Sequence, residues 1–541
     1  MRRWNGWGDE SVLSRIPEEA SAFLNKRVGH SRAIRDSSLE DALASLPESR
    51  LPRHPLIQKE RLVRLRHARG QSLPDWIAMR GGQIGAAPDA VAFPESAEEI
   101  RTLLRFAKDV RAKLIPYGGG TSVAGHINVA SDAEPHLTVS LARLNGLLRL
   151  DAVSGLATFG AGVAGADLEA TLRAQRLTLG HFPQSFEYST LGGWVVTRSS
   201  GQQSLGYGRI EDLFAGGVLE TPAGVLELPA FPASAAGPDL KQLVLGSEGR
   251  IGILTEATVR VSPLPEREEW RAYFLPDWDR GLEAVRALAQ SRLPLSMLRL
   301  STPGETETAL ALSSRQQLVA VLRKVSAWRG IGGEACLLLT ALTGSRRVVS
   351  AVRRSASRVI RASRGVSAGR FLAEGWRRGR FKTPYLRNTL WERGYAVDTL
   401  ETAASWSLVP ALLRSVESAL GTALDSMGER VHVFSHVSHV YGDGASLYAT
   451  YVFRRGDDAQ DTLERWLVLK QAATRAIMLG GGTLSHHHGV GTDLRADLTR
   501  EKGALGVEAL RAAFGCFDPD NIMNPGKLLP ERPFSVLGSL P

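Results

Sequence analysis

Three separated segments combine glycine with hydroxyl-bearing side chains, and they constrain the fold of this 541-residue chain more than any other feature. They are PYGGGTS at residues 116–122, QSFEYST and the following TRSSG within residues 184–201, and EGRIGIL at residues 248–254. Glycine tolerates positive φ and lets main-chain N–H groups approach a ligand closely. Each segment alone is typical of an ordinary loop, but the three together favour a site for a long, flat ligand with a phosphate centre.

Two familiar nucleotide-binding motifs are not matched in full. PYGGGTS lacks the G-K-[ST] ending of a P-loop, so nucleotide hydrolysis is not indicated. Gly160, Gly162 and Gly165 spell G-x-G-x-x-G between a predicted strand and a predicted helix. The segment after that helix is loop-like and does not form the acid-ended strand of a dinucleotide fingerprint. We therefore interpret these glycines as a strand-to-helix turn.

The composition is that of an ordinary folded protein. Apolar residues make up 43% and charged residues 23%, which excludes a wholly disordered or collagen-like chain. Two cysteines cannot build a disulfide framework, so we expect a reducing compartment. No run of 18 apolar residues predicts a spanning helix, residues 1–12 lack the apolar core of a secretory signal, and the final SLP is not a peroxisomal S-K-L signal. These features favour a bacterial-type cytoplasmic protein, with a peripheral contact to the inner membrane left open.

The formal net charge is +10, with 66 Lys and Arg against 56 Asp and Glu. An arginine series within residues 346–364 predicts one basic helix face, which can serve an anionic partner or be plain solvated surface. No RNP aromatic motif, zinc-finger spacing or basic-region heptad accompanies the series, so the chain is not expected to bind nucleic acid.

Periodicity predicts a mixture of helices and short strands. Ser96 and Glu99 form an S-x-x-E capping box before apolar residues at helical spacing, which predicts a helix that ends near Lys113. A second helix is predicted around Leu168 and Leu172. A third helix is predicted at residues 463–478, and strands at residues 137–141, 146–150, 156–159, 254–261, 335–342 and 446–453.

Changes in this pattern predict four regions. They are an N-terminal helical region at residues 1–85, a ligand-binding domain at 86–264, a second α+β domain at 265–440 and a C-terminal segment at 441–541. The last segment contains three consecutive histidines, which are His486, His487 and His488. Because three adjacent histidines cannot all face one metal ion from a regular element, and no acidic or cysteine ligands lie nearby in sequence, we expect no metal. A histidine can instead hold a phosphate or move a proton.

Several of these segments resemble one flavoprotein superfamily. PYGGGTS, EYSTLGGW with TRSSG, GPDL at residues 237–240 and GSEGRIG at 246–252 are similar to the FAD-binding domain of the vanillyl-alcohol-oxidase-type flavoproteins. WNGWG at residues 4–8, YLR at 385–387, SLY at 446–448 and SHHHGVG at 485–491 resemble the alkylglycerone-phosphate synthase family within that superfamily. The resemblance extends over nearly the whole chain.

The resemblance implies an α+β fold with three parts. They are a PCMH-type FAD-binding domain of two subdomains, an α+β cap domain with an antiparallel sheet over the flavin, and a C-terminal segment that completes the active site. FAD is expected to be held without a covalent bond, since no attachment motif surrounds His126, the histidine nearest the glycine loop. The implied cofactor-binding residues are Pro116, Tyr117, Gly118, Gly119, Gly120, Thr121, Ser122, Gln184, Ser185, Phe186, Glu187, Tyr188, Ser189, Thr190, Thr197, Arg198, Ser199, Ser200, Glu248, Gly249, Arg250, Ile251, Gly252, Ile253 and Leu254.

The resemblance also implies the catalytic residues. Tyr448 matches the family's catalytic tyrosine, whose phenol would remove a substrate hydrogen as a proton. A phenol has a pKa near 10, so it needs nearby cations to act as a base. The triplet of His486, His487 and His488 is implied to line the active site, bind the substrate phosphate and assist proton transfer.

Two arginines match substrate-binding positions of the family. Arg387 is expected to bind a phosphate or a developing enolate, and Arg299 either binds substrate or forms a structural salt bridge. Other positions depart from the family pattern. Gln184 stands where eukaryotic members tend to carry an acid, Arg250 replaces a small hydroxyl residue, and GTDLR after the histidines is one residue longer than its counterpart.

The implied reaction exchanges the acyl chain of acyl-dihydroxyacetone phosphate for a fatty alcohol, through an adduct at flavin N5 and without net redox change. The partners would be the phosphorylated lipid and the fatty alcohol, and a homodimer is left open. One alternative is an FAD-dependent oxidase or dehydrogenase of a 2-hydroxy acid such as D-lactate or glycolate. Another is a flavin-binding protein without turnover whose basic surface binds an acidic partner. Tyr448 together with SHHHGVG favours the exchange reaction.

Overall fold

A computed structural model of the chain describes residues 1–14, 16–312 and 331–531. Residues 15, 313–330 and 532–541, with the final SLP among them, lie outside the described residues. Within the described ranges, no helix combines the length and the apolar character that crossing a bilayer requires.

The helices occupy both the N-terminal region and the two predicted domains, and several begin at the side-chain caps that the sequence offers. Ser96 accepts a hydrogen bond from the main-chain N–H of Glu99, as the capping motif predicts. The helices are α1 (Glu18–Val28), α2 (Leu39–Ala44), α3 (Arg61–Arg66), α4 (Leu73–Arg80), α5 (Ala97–Asp109), α6 (Gly165–Ala174), α7 (Leu191–Thr197), α8 (Ser204–Tyr207), α9 (Ile210–Leu213), α10 (Lys241–Val244), α11 (Trp278–Gln290), α12 (Pro303–Ala311), α13 (Arg346–Ala362), α14 (Phe371–Gly379), α15 (Thr383–Glu392), α16 (Val409–Thr422), α17 (Ala459–Leu479) and α18 (Leu498–Phe517).

The first sheet has four strands in the order β1-β2-β4-β3. β1 (Ile57–Gln58) pairs antiparallel with β2 (Ala90–Ala92), and β4 (His136–Ser140) runs parallel to both β2 and β3 (Lys113–Tyr117). β1 lies within residues 1–85, so the region predicted to be helical also contributes one short strand. β3 leads directly into the PYGGGTS loop.

The second sheet has five antiparallel strands in the order β5-β6-β10-β8-β9. The strands are β5 (Leu147–Asp151), β6 (Leu156–Gly160), β8 (Phe214–Thr221), β9 (Gly224–Leu228) and β10 (Ile253–Arg260). The G-x-G-x-x-G motif connects β6 to α6, and β6 is antiparallel to both neighbours. The parallel βαβ unit of a dinucleotide fold is therefore absent at this motif, and the turn interpretation is confirmed. A small pair, β7 (Leu177–Thr178) and β11 (Ser262–Pro263), lies beside this sheet.

The third sheet, which we call the cap sheet, has seven antiparallel strands in the order β15-β12-β14-β13-β17-β18-β16. The α+β fold with two smaller sheets and a separate antiparallel cap sheet is thus confirmed. The strands are β12 (Arg267–Leu275), β13 (Met297–Ser301), β14 (Cys336–Gly344), β15 (Val366–Gly369), β16 (Tyr395–Ser405), β17 (His432–Val440) and β18 (Gly444–Arg454).

The observed elements follow the predicted ones closely, with two informative shifts. α5 ends at Asp109, four residues before the predicted end near Lys113, because Arg111 adopts a left-handed φ of 54° and the chain then enters β3. The proposed boundary at 440/441 falls in the hairpin between β17 and β18, so the cap sheet continues across it to Arg454. The other proposed boundaries remain predictions.

The end of the described chain returns to the first sheet. The Leu114 N–H donates to the Ile522 carbonyl (2.8 Å), and the Asn524 N–H donates to the Leu114 carbonyl (2.7 Å). These bonds extend the edge of β3 and place Asn524 beside the glycine loop.

Candidate active site

A cavity of about 1430 Å³ brings the three glycine-containing loops together with the cap sheet. Of the predicted cofactor-binding residues, most contribute to its wall. Those that line the cavity are Pro116, Tyr117, Gly118, Gly119, Gly120, Thr121, Ser122, Gln184, Ser185, Ser189, Thr190, Thr197, Ser199, Ser200, Glu248, Gly249, Gly252 and Leu254.

The remaining predicted cofactor-binding residues do not line the cavity, because their side chains are engaged elsewhere. Arg250 donates to the Met523 carbonyl and to Asn521 Oδ1, on the far side of its loop. Arg198 donates to the Leu245 carbonyl (3.2 Å) and to Gln242. The others are Phe186, which stacks on Phe381, Glu187 and Tyr188, which bond to Tyr385, and Ile251 and Ile253, which lie in the core.

Glycine is required where the loops touch. A Cβ atom on Gly119 would lie 1.8 Å from the Tyr188 carbonyl oxygen, and one on Gly118 would lie 2.3 Å from Thr190 Oγ1. The first loop is therefore seated against the second with no space for a side chain. Asn524 Oδ1 is buried without a hydrogen-bond partner in the cavity wall, where a ligand can supply the missing donor. These features fit a closely held cofactor such as FAD.

A buried network links the cofactor loops to the segment after the histidines. The His126 ring nitrogens lie 2.6 Å from Ser122 Oγ and 3.2 Å from Glu248 Oε1. Burial alone lowers the pKa of His126, but the Glu248 carboxylate outweighs burial and raises it. The same carboxylate accepts main-chain N–H bonds from Val490 (2.6 Å) and Gly491 (2.8 Å). Both His126 nitrogens thus face protein groups, in keeping with FAD held non-covalently.

Across the cap sheet, polar residues on adjacent strands form one row that faces the cavity. Glu401 on β16 lies opposite Tyr448 on β18, and Tyr448 lies opposite His436 on β17. The Tyr448 ring stacks on His436, with centroids 4.9 Å apart, and meets the edge of His488 at 5.8 Å. Burial raises the pKa of Tyr448, and Arg387 acts in the opposite direction. The net result is a raised pKa, so the Tyr448 hydroxyl is protonated in this structure, and its role as a base stays a prediction.

Arg387 projects from α15 into the cavity wall. Its Nε donates to the Val397 carbonyl (3.1 Å) and its Nη1 to the Gln71 carbonyl (2.5 Å), while the guanidinium lies over Trp76. Its Nη2 is buried and has no hydrogen-bond partner. An unpaired buried donor is unfavourable, so this atom suits an anionic ligand in the cavity.

Arg299 forms a salt bridge and also lies in the cavity wall, and its role in substrate binding stays a prediction. Its Nη2 pairs with Glu305 Oε1 at 2.8 Å and lies 3.1 Å from His436 Nδ1, and the residue also lines the cavity. Burial alone would raise the pKa of Glu305, but Arg299 and His436 together lower it to about 2. The Glu305 carboxylate is therefore ionised and holds Arg299 and His436 in place below Tyr448.

The three histidines of the triplet have different surroundings. His487 and His488 line the cavity, whereas His486 does not. His486 Nε2 lies 2.6 Å from the Tyr441 hydroxyl, and its Nδ1 lies 3.2 Å from Glu401 Oε1. Of the predicted substrate and catalytic residues, the structure therefore brings all but His486 to the cavity.

Sequence reasoning missed four polar residues of the site, of which Glu305 and Glu401 are buried and His436 and His439 are half-buried. Three of the nine residues of β17 are histidines, which was an available signal. His439 sits at a β-bulge with a φ of 43°, and this irregularity turns it toward His486 and His487. No local pattern marks Glu401, because its partners come from a segment about 85 residues later in the chain.

Glu401, His439 and His487 are also of the residue types that hold metal ions. Their potential ligand atoms lie within 4.8 Å of one another. The sequence showed no acidic residue near the histidines, but the fold brings Glu401 to them from β16. The expected absence of a metal therefore stays a prediction.

One part of the cavity wall is apolar. β13, β14, β17 and α14 line this part with large side chains, and most of these residues belong to a separate hydrophobic cluster of the cap. The residues concerned are Met297, Leu337, Leu339, Leu372, Trp376 and Phe434. One cavity thus joins a glycine-rich cradle, a polar centre and an apolar extension.

Comparisons with known proteins agree with this architecture. The family described as FAD binding domain matches residues 88–227, and the family described as FAD linked oxidases, C-terminal domain, matches residues 264–528. The chain is 31% identical over 481 residues to an alkyldihydroxyacetonephosphate synthase of Dictyostelium discoideum, which covers 88% of this chain and 78% of the relative. The synthase of Caenorhabditis elegans is 30% identical, with coverage of 91% and 83%.

A solved structure of an alkyldihydroxyacetonephosphate synthase superimposes with a TM-score of 0.82 at 26% identity, and the match covers 97% of this chain and 98% of that one. The FAD-binding domain and the identity to these relatives over most of their length establish the cofactor as FAD. The chain therefore belongs to the alkyldihydroxyacetonephosphate synthase family of FAD-dependent enzymes.

Proposed function

We propose that this enzyme exchanges the acyl chain of acyl-dihydroxyacetone phosphate for a fatty alcohol, without net redox change. The observation that supports the proposal most directly is the single cavity described above. Its glycine-rich part suits FAD, its cationic and phenolic centre suits a phosphorylated headgroup, and its apolar part suits a long alkyl chain.

Different residues of the chain carry out the separate steps of such an exchange. The Tyr448 oxygen faces the cavity and, as the phenolate, accepts a proton from the substrate carbon, while Arg387 Nη2 and the histidines that line the cavity bind the phosphate. When bound, FAD supplies the electron-pair acceptor that this carbon needs. Loss of the fatty acid as a carboxylate and addition of the alcohol oxygen then leave the substrate at its original oxidation level.

A lipid substrate also requires access from a membrane or a carrier. We therefore propose a peripheral contact with a membrane. We also propose a homodimer and a cytoplasmic location. The shape and the lining of the cavity do not depend on the membrane contact, the homodimer or the location.

The test is an anaerobic incubation of the holoenzyme with acyl-dihydroxyacetone phosphate and isotope-labelled fatty alcohol, without an electron acceptor. Mass spectrometry should detect a labelled alkyl ether and released fatty acid. If no ether forms, and a 2-hydroxy acid such as D-lactate or glycolate reduces the flavin, the enzyme is instead an oxidase or dehydrogenase. A flavin that neither compound class perturbs would indicate a binding protein without turnover.

A further inference from the structure

The three histidines of the triplet differ in the one property that proton transfer needs, which is a ring nitrogen free to face the substrate. His486 has neither nitrogen free. Its Nε2 faces the Tyr441 hydroxyl at 2.6 Å, and its Nδ1 lies between Glu401 and His487. Its main-chain carbonyl is also fixed by Arg209 (3.1 Å). This histidine is part of the frame behind the cavity.

His488 reaches the cavity, but it is a poor proton acceptor. Its half-buried ring packs between His487 and the edge of Tyr448. Burial lowers the pKa of His488 to about 3, and no carboxylate among the described residues pairs with it. Its neutral ring suits a hydrogen bond to substrate or to Tyr448 and does not suit the uptake of a proton near neutrality.

His487 has a different environment. It lines the cavity, and its Nδ1 is in direct contact with Glu401 Oε2. When one imidazole nitrogen is held by a carboxylate, the ring orientation and tautomer are fixed and the other nitrogen is left as the acceptor. In His487 that other nitrogen is Nε2.

The Glu401 carboxylate contacts its partners as ion pairs, and neither of its oxygens has a hydrogen-bond partner of ordinary geometry among the described residues. It is completely buried, and its ion-pair contacts among the described residues are to His439, His486 and His487, with no lysine or arginine. A buried carboxylate is stable as an anion only with compensating partners, so its charge is directed at these imidazoles. His439 is itself held by a contact of 3.0 Å between its Nδ1 and Ser200 Oγ.

We infer that Glu401 is a positioning residue that fixes the Nδ1–H tautomer of His487 and so makes His487 Nε2 the proton acceptor of the site. That the transferred proton comes from the fatty alcohol rests on the proposed function. As the alcohol oxygen bonds to the substrate carbon, its O–H bond breaks and the proton passes to His487 Nε2. A lone pair of the alcohol oxygen forms the new C–O bond, the electron pair of the O–H bond stays on that oxygen as a lone pair, and the old bond from the carbon to the acyl oxygen has broken with loss of the fatty acid as a carboxylate.

The test combines kinetics with NMR on the FAD-loaded full-length enzyme. Glu401→Gln keeps the shape of the side chain but removes its charge. We expect kcat for ether formation to fall at least about 100-fold, with KM within about threefold and FAD still bound, and Glu401→Asp to recover part of kcat. Glu283→Gln, at an exposed glutamate of α11 that pairs with Arg280, is the matched control and should behave as wild type.

The second readout is the ring N–H proton of His487, assigned by its loss in His487→Gln. A hydrogen bond from histidine to carboxylate shifts this proton strongly downfield, and we expect that signal in the wild type and not in Glu401→Gln. Unchanged kcat in Glu401→Gln, or no downfield signal in the wild type, overturns the inference. If the wild type makes no ether, the proposed function fails by itself, and the NMR signal alone then decides whether Glu401 fixes the tautomer of His487.

Discussion

Tyr448 and His436 lie directly opposite each other on β18 and β17, and their rings stack with an interplanar angle of 15°. His436 is held from below by Glu305 and Arg299. The phenol therefore rests on a rigid, charged support, so its orientation toward the cavity does not depend on substrate. This rigidity makes the contribution of the hydroxyl group separable from that of the ring.

Removal of that hydroxyl should stop the chemistry and spare the fold. We expect Tyr448→Phe to lower kcat by roughly 10²- to 10⁴-fold, the range for a positioned acid–base group, because the ring still stacks on His436. Steady-state kinetics and the flavin absorbance of the purified variant check this. Tyr207→Phe, outside the cavity wall, is the control, and a fully active Tyr448→Phe enzyme would remove the phenol from the mechanism.

Gly119 should be essential for cofactor retention. In Gly119→Ala the new methyl group would collide with the Tyr188 carbonyl oxygen at 1.8 Å, so the first loop must move away from the second. We expect this variant to purify largely without FAD. Gly146→Ala has no atom within 4 Å of the added Cβ and should keep a full complement of flavin. Equal flavin content in the two variants would contradict the role of the glycine contact.

Arg387 should contribute mainly to substrate binding. Arg387→Lys keeps a positive charge but loses Nη2, the donor without a protein partner. Since a hydrogen bond to a charged group is worth about 1.5–3 kcal/mol, we expect KM for the phosphorylated substrate to rise roughly 10- to 100-fold, with FAD affinity unchanged. An analogue without the phosphate should show no such difference, and an unchanged KM would exclude this role.

Asp493 should make stability depend on pH. Burial raises its pKa to about 6, above the value near 3.9 of an unfolded aspartate. The folded chain therefore binds this proton more tightly, and the resulting stabilisation is complete below about pH 4 and is lost as the pH rises through 6. At about 1.36 kcal/mol per pKa unit, roughly 2–3 kcal/mol is lost.

Asp493→Asn removes this titration while keeping an acceptor for Thr492. Thermal unfolding should show the variant more stable than the wild type at pH 7.5, with the difference nearly absent at pH 4.5. A constant difference at both pH values would assign the effect to packing rather than to ionisation.

Chelation should leave the activity unchanged. Glu401 and His487 are in direct contact, which leaves no space for an ion between their facing atoms. We expect EDTA treatment and subsequent addition of Zn²⁺ or Mn²⁺ to alter kcat by less than about twofold. Removal of a catalytic metal would lower kcat by much more than this. Stoichiometric metal in the purified enzyme, with activity lost on its removal, would show that Glu401, His439 and His487 form a metal site.

Local patterns predicted most of the fold. The capping box at Ser96, the apolar spacing of α5 and the glycine loops all depend on neighbouring residues, so they could be recognised from sequence. Tyr448, Arg387 and Arg299 came from the family resemblance, and the structure places each at the cavity. The spacing of these three residues in the chain does not indicate that they share a cavity.

The remaining residues of the site depend on strand register. Glu401, Tyr448 and His436 form one row only because β16, β18 and β17 pair with the observed alignment, and a shift of one residue would turn each side chain to the other face. His439 faces the same cluster because of a bulge. The orientation of Arg250 away from the cavity was likewise unpredictable, since its partners Asn521 and Met523 lie about 270 residues away in the chain.

The return of residues 522–524 to the edge of β3 also fixes the order in which parts of the cofactor site can come together. Asn524 Nδ2 donates to the carbonyls of His126 and Glu248, so two of the cofactor loops are joined by a residue near the end of the described chain. During synthesis these loops leave the ribosome some 270 to 400 residues before Asn524 does. These two loops can therefore be joined through Asn524 only after the chain has been made at least as far as that residue.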